Sequence, residues 1–503
     1  MDVLLGLTNG FADVIAPSNL LFLVGGVVIG MVLGAIPGLT ATMAIALVLP
    51  LTYTLTPIQS LTMMLAAYNA GTFGGSMAAI LIGTPGTPAA AATVADGYAL
   101  ARKGQAGKAI KDALYSSVFG CLFSSVILIM VAGPISTIAL NFGPAEYAVL
   151  MLFSLTIIAS AAGRSLAKGL IGGALGLLFG CVGMDSGWST PRFSFGFMKL
   201  TSGINLVVML IGALAMSALL IQLESIAQGN VSANLPTPAN KDDNRMTRAD
   251  LKRCLPHWLR SSMIGCGIGA LPGLGPSLAC YIGYDFGKKS SKHPEEFGTG
   301  SIEGIAASEA ANNSVCSAAL IPLLALGVPG DTGAALLMSA FIVQGLIPGP
   351  LVFTESIETV YGIYAGFILC NLVLLGVCLA TWKLFRRICS VSVTIIFPAV
   401  AIFCVIGVYA FNQNVLDIWI MLFFGVVGYI LTKFKFPITT LLIGFILSPL
   451  LEKNFRRALV LSRGNPLTFF SSPLCLLFWA ATVLSLFFIL RGKVKDKNLA
   501  DGL

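Results

Sequence analysis

Four Pro-Gly pairs stand in apolar surroundings: Pro37-Gly38, Pro85-Gly86, Pro272-Gly273 and Pro329-Gly330. Proline removes a backbone donor and clashes with the preceding turn, while glycine adds backbone freedom, so each pair breaks a helix. At membrane depth the freed backbone groups are tolerated only where protein buries them or where they line a watery cavity. A half-helix starting after a break presents unpaired N–H groups and roughly half a positive charge. That end suits a carboxylate without any intramembrane Lys or Arg. Asn69, Gly71, Thr84, Gly86, Thr87, Asn313, Gly330 and Asp331 cluster at the breaks and are the positions expected to line such a site. Exposed carbonyls and side-chain oxygens hold a hard cation equally well. Thr40, Ser76, Glu309, Asn312 and Thr332 are the candidates for a coupling Na⁺ or proton. Glu309 lies four residues before Asn313, hence on the same helix face. An ionisable group at the centre of an apolar helix costs about 2.5–3.5 kcal/mol on insertion scales. Glu309 and Asp331 therefore invite a functional reading, beside the plainer one of a carboxylate satisfied by a helix N-terminus. Asp96, Glu146 and Asp185 lie near segment ends and read as interfacial.

The breaks recur because the chain repeats itself. Gly34-Ala-Ile-Pro-Gly-Leu39 returns as Gly269-Ala-Leu-Pro-Gly-Leu274, 235 residues on. Ala66-Ala-Tyr-Asn69 returns as Ala310-Ala-Asn-Asn313, and Ile82-Gly-Thr-Pro-Gly-Thr87 as Leu326-Gly-Val-Pro-Gly-Asp331, both 244 residues on. The nine-residue difference places an insertion in the charged stretch Asp285 to Glu296, whose counterpart Pro50 to Ser60 has no charge. After the Pro85 break come Arg102, Lys103, Lys108 and Lys111; after the Pro329 break, Leu346 to Thr359 carries Glu355 and Glu358 but no Lys or Arg. If basic loops are cytoplasmic, equivalent loops lie on opposite sides, which is an inverted-topology repeat. Arg456, Arg457 and Arg463 fall on the wrong side of a simple alternation, and a re-entrant or interfacial piece over 436–461 would remove the conflict.

The elements that must carry these groups are helices in lipid. Of 503 residues, 56% are hydrophobic and 10% charged, against about 25% charged in a soluble domain. Apolar runs of about 20 residues, such as Leu20 to Met43 and Leu114 to Ala132, must be helical in lipid. Ten to twelve such hydrophobic units are expected. Residues 1–19 contain no Lys or Arg, so the basic region of a cleaved signal is absent. The net charge of +8 is dispersed at the ends of apolar runs and is no nucleic-acid footprint. Eleven cysteines stand singly and read as small hydrophobes. Only His257 and His293 occur, both in polar stretches, and no GKS or GKT follows the glycine-rich segments. His-based metal catalysis, a triad and a P-loop ATPase are thereby excluded.

Longer motifs resemble the large transmembrane (TctA-like) subunit of the tripartite tricarboxylate transporter family. They run from about Gly30 to Gly464: Gly34-Ala-Ile-Pro-Gly-Leu39, Tyr68-Asn-Ala-Gly-Thr-Phe-Gly-Gly-Ser76, Pro85-Gly-Thr-Pro88 through Asp96-Gly-Tyr98, Pro294-Glu-Glu-Phe-Gly298, Glu309-Ala-Ala-Asn-Asn313, Leu326-Gly-Val-Pro-Gly330 and Arg456-Arg-Ala-Leu459. The resemblance implies a multi-pass carrier of the bacterial inner membrane, with cation-driven uptake of carboxylates such as citrate-like tricarboxylates. It implies a small membrane subunit and a periplasmic solute-binding protein as partners, with a homodimer as a further option and no cofactor beyond a coupling Na⁺ or H⁺. Gly83, Ser308 and Asp331 depart from the family's usual residues, so the carboxylate stays open. The fold expected is an all-α polytopic membrane protein of two inverted repeats, 1–228 and 261–490, whose broken helices meet near the bilayer midplane. A cytoplasmic linker, 229–260, and tail, 491–503, complete it. An anion channel, or a scaffold subunit without transport of its own, is the alternative.

Overall fold

Long uncharged apolar runs leave the backbone no water to bond, so they coil on themselves. The computed structural model describes residues 3–36, 39–161, 165–185, 187, 189–227, 244–388 and 393–500. Pro37 and Gly38, the 229–243 part of the expected linker and the last three residues of the tail lie outside the described residues.

In chain order the helices are α1 (Val3–Ile15), α2 (Pro17–Ala35), α3 (Ala41–Val48), α4 (Pro57–Ile82), α5 (Ala91–Leu100), α6 (Ala106–Ala139), α7 (Pro144–Ala161) and α8 (Leu166–Gly180). A two-stranded hairpin, β1 (Gly183–Met184) and β2 (Pro191–Arg192), follows. Then come α9 (Leu206–Leu210), α10 (Ser217–Ala227), α11 (Arg248–Gly269), α12 (Gly275–Ser290), α13 (Ile302–Ala318), α14 (Leu320–Leu326) and α15 (Thr332–Val343). The chain closes with α16 (Val352–Glu355), α17 (Ile357–Ile388), α18 (Val393–Asn412), α19 (Val415–Lys433), α20 (Ile438–Leu461) and α21 (Pro473–Ala500). Among the described residues eight helical stretches are long and apolar enough to cross a membrane, and shorter apolar helices accompany them. The shorter set includes α3 and α15, of 8 and 12 residues. At 1.5 Å per residue neither crosses a hydrocarbon core of about 30 Å.

Two compact units are present. The first holds residues 1–136, 207–271 and 275–429. Within it α2 packs along α4, and α11 along α13, while α3 and α12 each lie on the same partner as the helix before the break. The α2–α4 seam runs on small residues: Gly26, Gly30 and Gly34 rest on the carbonyls of Met63, Ala67 and Gly71. Glycines four apart let two backbones approach closely, which is how helices associate without a hydrophobic driving force. Gly265 and Gly269 do the same against Ala311 and Val315. Charged segments gather elsewhere in this unit. Lys108 reaches Asp250 at 3.0 Å, and Arg253 bridges Glu296 and Glu303, each at 2.5 Å. The basic stretch after α5, the start of α11 and the charged stretch after α12 therefore lie together.

The second unit holds residues 137–206, 272–274 and 430–503. Its centre is α8 against α20, again through glycines: Gly176 meets the Leu441 carbonyl and Gly180 meets Ser448. Residues 438–461, where a re-entrant or interfacial piece was one expectation, form a single continuous helix. Arg456 is forked onto Asp185 at 3.1 and 2.8 Å and also reaches Glu452 at 2.8 Å. Arg192 on β2 closes the network with a bidentate pair to Glu452 at 2.8 and 3.0 Å. Ten cysteines among the described residues are unpaired thiols, nine of them buried.

A side chain at Gly30 would run into the Ala67 backbone, with Ala67 Cα 2.8 Å from the new Cβ. Gly30→Val is expected to abolish a monodisperse peak in detergent size-exclusion chromatography, whereas Gly25→Val, where a Cβ meets nothing, is expected to leave it intact.

Candidate functional site

The site grows from two chain breaks in the first unit. Helix α4 ends at Gly83 and α14 ends at Gly327, both in the left-handed conformation, φ 69° and 72°. Gly83 and Gly327 are equivalent under the 244-residue repeat. Three residues later the chain turns back onto its own helix. The Gly86 N–H donates to the Gly75 carbonyl at 3.1 Å, and a Cβ on Gly86 would lie 2.8 Å from Gly75 Cα and against the Gly34 carbonyl. A Cβ on Gly330 would lie 2.7 Å from Ala319 Cα and 2.8 Å from the Gly269 carbonyl. Gly34, Gly75 and Gly86 map onto Gly269, Ala319 and Gly330 under the two sequence offsets, so one crossing is built twice. Only glycine fits where two backbones touch.

A buried polar cluster surrounds these crossings. Glu309 on α13 has no solvent exposure. Thr93 on α5 donates a short hydrogen bond to one carboxylate oxygen, and Ser117 on α6 donates to the other at 3.1 Å. Asn313 Nδ2 donates to Ser117 Oγ at 2.8 Å and approaches the Glu309 carboxylate at 3.4 Å. Ser308 Oγ lies 3.1 Å from Thr93 Oγ1. Ser76 bears on the same carboxylate but makes no hydrogen bond of normal geometry. Asn69 Nδ2 on α4 donates to Asn371 Oδ1 on α17 at 2.9 Å. The remaining polar atoms are the telling ones. Asn69 Oδ1, Ser76 Oγ, Thr87 Oγ1, Asn313 Oδ1 and both side-chain heteroatoms of Asn312 are buried without a hydrogen-bond partner. Leaving one such group unpaired costs about 1–3 kcal/mol, and each therefore calls for an explanation.

The two acidic candidates differ. Asp331 is the N-cap of α15: one carboxylate oxygen accepts from the Ala334 N–H at 2.7 Å, and the other accepts from Tyr68 O–H at 2.6 Å. Glu309 caps nothing and sits mid-helix. Asp96, read from sequence as interfacial, is wholly buried. Its Oδ1 accepts from the N–H groups of Gly298, Gly300 and Ser301 at 2.8, 2.9 and 2.8 Å, and Tyr284 O–H donates to Oδ2 at 2.8 Å. It thus anchors the turn from which α13 starts.

Asn69, Ser76, Gly86, Thr87, Glu309, Asn312, Asn313, Gly330 and Asp331 all lie buried in one unit, on α4, α13 and the turns after α4 and α14. Gly71 packs against Ala41 at the start of α3. Thr40 caps α3, accepting from the Met43 N–H at 3.3 Å, with Thr42 Oγ1 at 2.7 Å. Thr332 opens α15 half-buried. Thr84 is exposed and turns away from this group. Pro85 and Pro329 stand inside the two turns. Pro272 and Gly273 separate α11 from α12, with Gly273 at φ 84°, and belong to the other compact unit. Sequence reasoning missed Tyr68, Thr93, Ser117 and Asn371. Asn371 carried a signal, an amide inside an apolar run; the hydroxyls did not, because Ser and Thr also satisfy themselves on their own helix. A nearby cavity lined by Val28, Val32, Leu47, Leu51 and Phe403 offers only apolar groups and no hold for a carboxylate.

Membrane-length helices with paired breaks around a buried polar cluster define a polytopic α-helical membrane protein. Residues 20–443 match the tripartite tricarboxylate transporter TctA family, and the chain belongs to that family. It is therefore a transporter component, not an enzyme, of a tripartite system that has other subunits such as a binding protein and a small membrane subunit. The chain is 35% identical over 498 residues, 99% of its length and 98% of the other's, to an uncharacterized 52.8 kDa protein of the TAR-I ttuC' 3'region of Agrobacterium vitis. It is 40% identical over 222 residues, 44% of its length and 90% of the other's, to an uncharacterized protein of the TAR-II ttuC' 3'region of Agrobacterium vitis. No solved structure matches.

Removing Asp96 leaves three N–H groups, that of Ser301 fully buried, and a half-buried phenol without their acceptor, whereas removing the Tyr68 hydroxyl takes only one donor from an Asp331 that keeps its cap. Asp96→Ala is therefore expected to lower the melting temperature in detergent much more than Tyr68→Phe, which should cost about 1–3 kcal/mol. Equal losses would contradict the anchoring role.

Proposed function

We propose that the protein is the membrane permease subunit of a binding-protein-dependent secondary transporter, taking up a small carboxylate across a bacterial inner membrane with Na⁺ or H⁺. The observation that carries the reading is the set of unpartnered buried polar atoms on Asn69, Thr87, Asn312 and Asn313 beside two glycine crossings. A watertight structural core would pair them; a binding site leaves them for its ligand. The carboxylate is favoured because the chain puts amides, hydroxyls and helix starts here, all of which supply hydrogen-bond donors to an anion.

Glu309 is the coupling group in this reading. Its partners are two hydroxyls and an amide, and no described cation pairs with it. Burying an ionised carboxylate without a counter-charge is too costly to sustain, so it holds a proton or a cation. A bound cation also offsets the repulsion between Glu309 and an anionic substrate, which is the electrostatic basis of symport.

The paired crossings support two repeats of opposite topology, 1–228 and 261–490, with 229–260 and 491–503 cytoplasmic. Thr72 and Cys316 are equivalent under the 244-residue offset and touch each other, Sγ to Oγ1, at 3.6 Å. Asn69 reaches α17, and its equivalent Asn313 reaches α6. An element meeting its own counterpart, with partners exchanged, is what a two-fold relation between halves produces. Alternating access would then move one group of helices against the other.

The test is uptake of radiolabelled carboxylates into proteoliposomes holding the complex, with the binding protein and an imposed gradient. Accumulation should require both. Glu309→Gln should lose gradient-driven accumulation while keeping substrate exchange, and Asn313→Ala should cut uptake at least tenfold with normal membrane insertion. An intact complex that moves no carboxylate would sink the proposal.

A further inference from the structure

The repeat relates two pairs of residues. Tyr68 and Asp331 form one pair, joined at 2.6 Å. Under the 244-residue offset Tyr68 corresponds to Asn312, and Asp331 to Thr87, so the twin of Tyr68–Asp331 is Asn312–Thr87. The twin lies in reach: α13 packs against the turn Pro88–Ala90 that Thr87 opens. One turn before Asn312, Glu309 accepts from Thr93, just beyond that turn.

The pairs differ in one chemical respect. In the Tyr68–Asp331 pair the chain supplies its own carboxylate, which a phenol and a helix-start N–H hold from two sides. In the Asn312–Thr87 pair the chain supplies none. There Thr87 Oγ1 and both amide heteroatoms of Asn312 are buried and unpartnered, with Asn312 at 0% and Thr87 at 7% exposure. A hydroxyl and an amide N–H are the donors a carboxylate needs.

We infer that Asn312 and Thr87 bind the substrate's carboxylate and that Asp331 is a built-in carboxylate filling the twin position, so the protein takes small acids that present a single carboxylate. The inference rests on the carrier reading above. The substrate brings no second carboxylate to the twin position, because Asp331 already occupies it, held by Tyr68 and the Ala334 N–H, and no described cationic side chain stands beside it. Selectivity thus comes from a repulsive element as well as an attractive one.

The experiment compares uptake of a hydroxy monocarboxylate, a dicarboxylate and citrate by the assembled complex in proteoliposomes. The wild type should carry the monocarboxylate, and a hundredfold excess of dicarboxylate or citrate should leave that uptake unchanged. Thr87→Val removes the hydroxyl at constant shape, so the protein still folds; KM should rise about tenfold with kcat unchanged. Thr87→Asp fills the site from within and should abolish uptake of every acid while the complex stays assembled. Asp331→Thr combined with Tyr68→Asn empties the twin and should raise dicarboxylate uptake at least tenfold relative to monocarboxylate. A wild type that carries citrate as well as monocarboxylate, or Thr87→Val with an unchanged KM, would overturn this inference and leave the carrier reading standing. A wild type that moves no carboxylate would overturn both.

Discussion

A helix interrupted inside a membrane must be sealed by other protein, and everything in the first unit follows from how that is done. The turns after Gly83 and Gly327 fold back until backbone meets backbone, at Gly86 on Gly75 and at Gly330 on Ala319. Such closeness is available only to residues without bulk, so the partners on α2 and α11 are glycines as well. The seams Gly26-Gly30-Gly34 and Gly265-Gly269 hold those partners at the same separation. Close crossing packs the turns onto their own helices, and the short helices α3 and α15 start on side-chain caps from Thr40 and Asp331.

The distribution of charge obeys the same economy. Three of the buried carboxylates in the first unit, Glu309, Asp331 and Asp96, are each handled differently. Asp331 and Asp96 are spent on helix starts. Glu309 is held by neutral donors alone. The paired cations sit toward helix ends: Lys108 on α6 with Asp250, Arg253 on α11 with Glu296 and Glu303, Arg456 on α20 with Asp185 and Glu452. With no fixed positive charge in the centre, an anion is held weakly by dipoles and amides. Weak holding suits a molecule that must also let its cargo go.

Much of this was legible in the residues. Pro and Gly mark the breaks because their backbone chemistry allows little else, and the repeat exposes the pairing. The 3.6-residue period placed Glu309 and Asn313 on one face, and the hydrogen bond between them bears that out. What a single sequence hides is which distant element a side chain meets. Asp96 read as interfacial because it lies near a segment end; the sequence did not reveal its partners, backbone groups some 200 residues away. Thr84 belongs to the motif but faces outward. Arg456 looked misplaced because charge counting does not see Asp185 and Glu452 folded onto it. The substrate-binding and coupling roles stay with the proposal.

The touching pair Thr72 and Cys316 bears on ancestry. In an assembly of two identical half-length chains, a residue on the two-fold axis meets a copy of itself, and any mutation arrives in both halves at once. Joining the halves in one polypeptide removes that tie. Thr72 then faces Cys316, and, with more effect, Asp331 takes in one half the place that Thr87 holds in the other. Gene fusion thus lets a site be charged on one side and empty on the other, and a lopsided site seats its cargo one way round, the condition under which left- and right-handed forms of the same acid can be told apart.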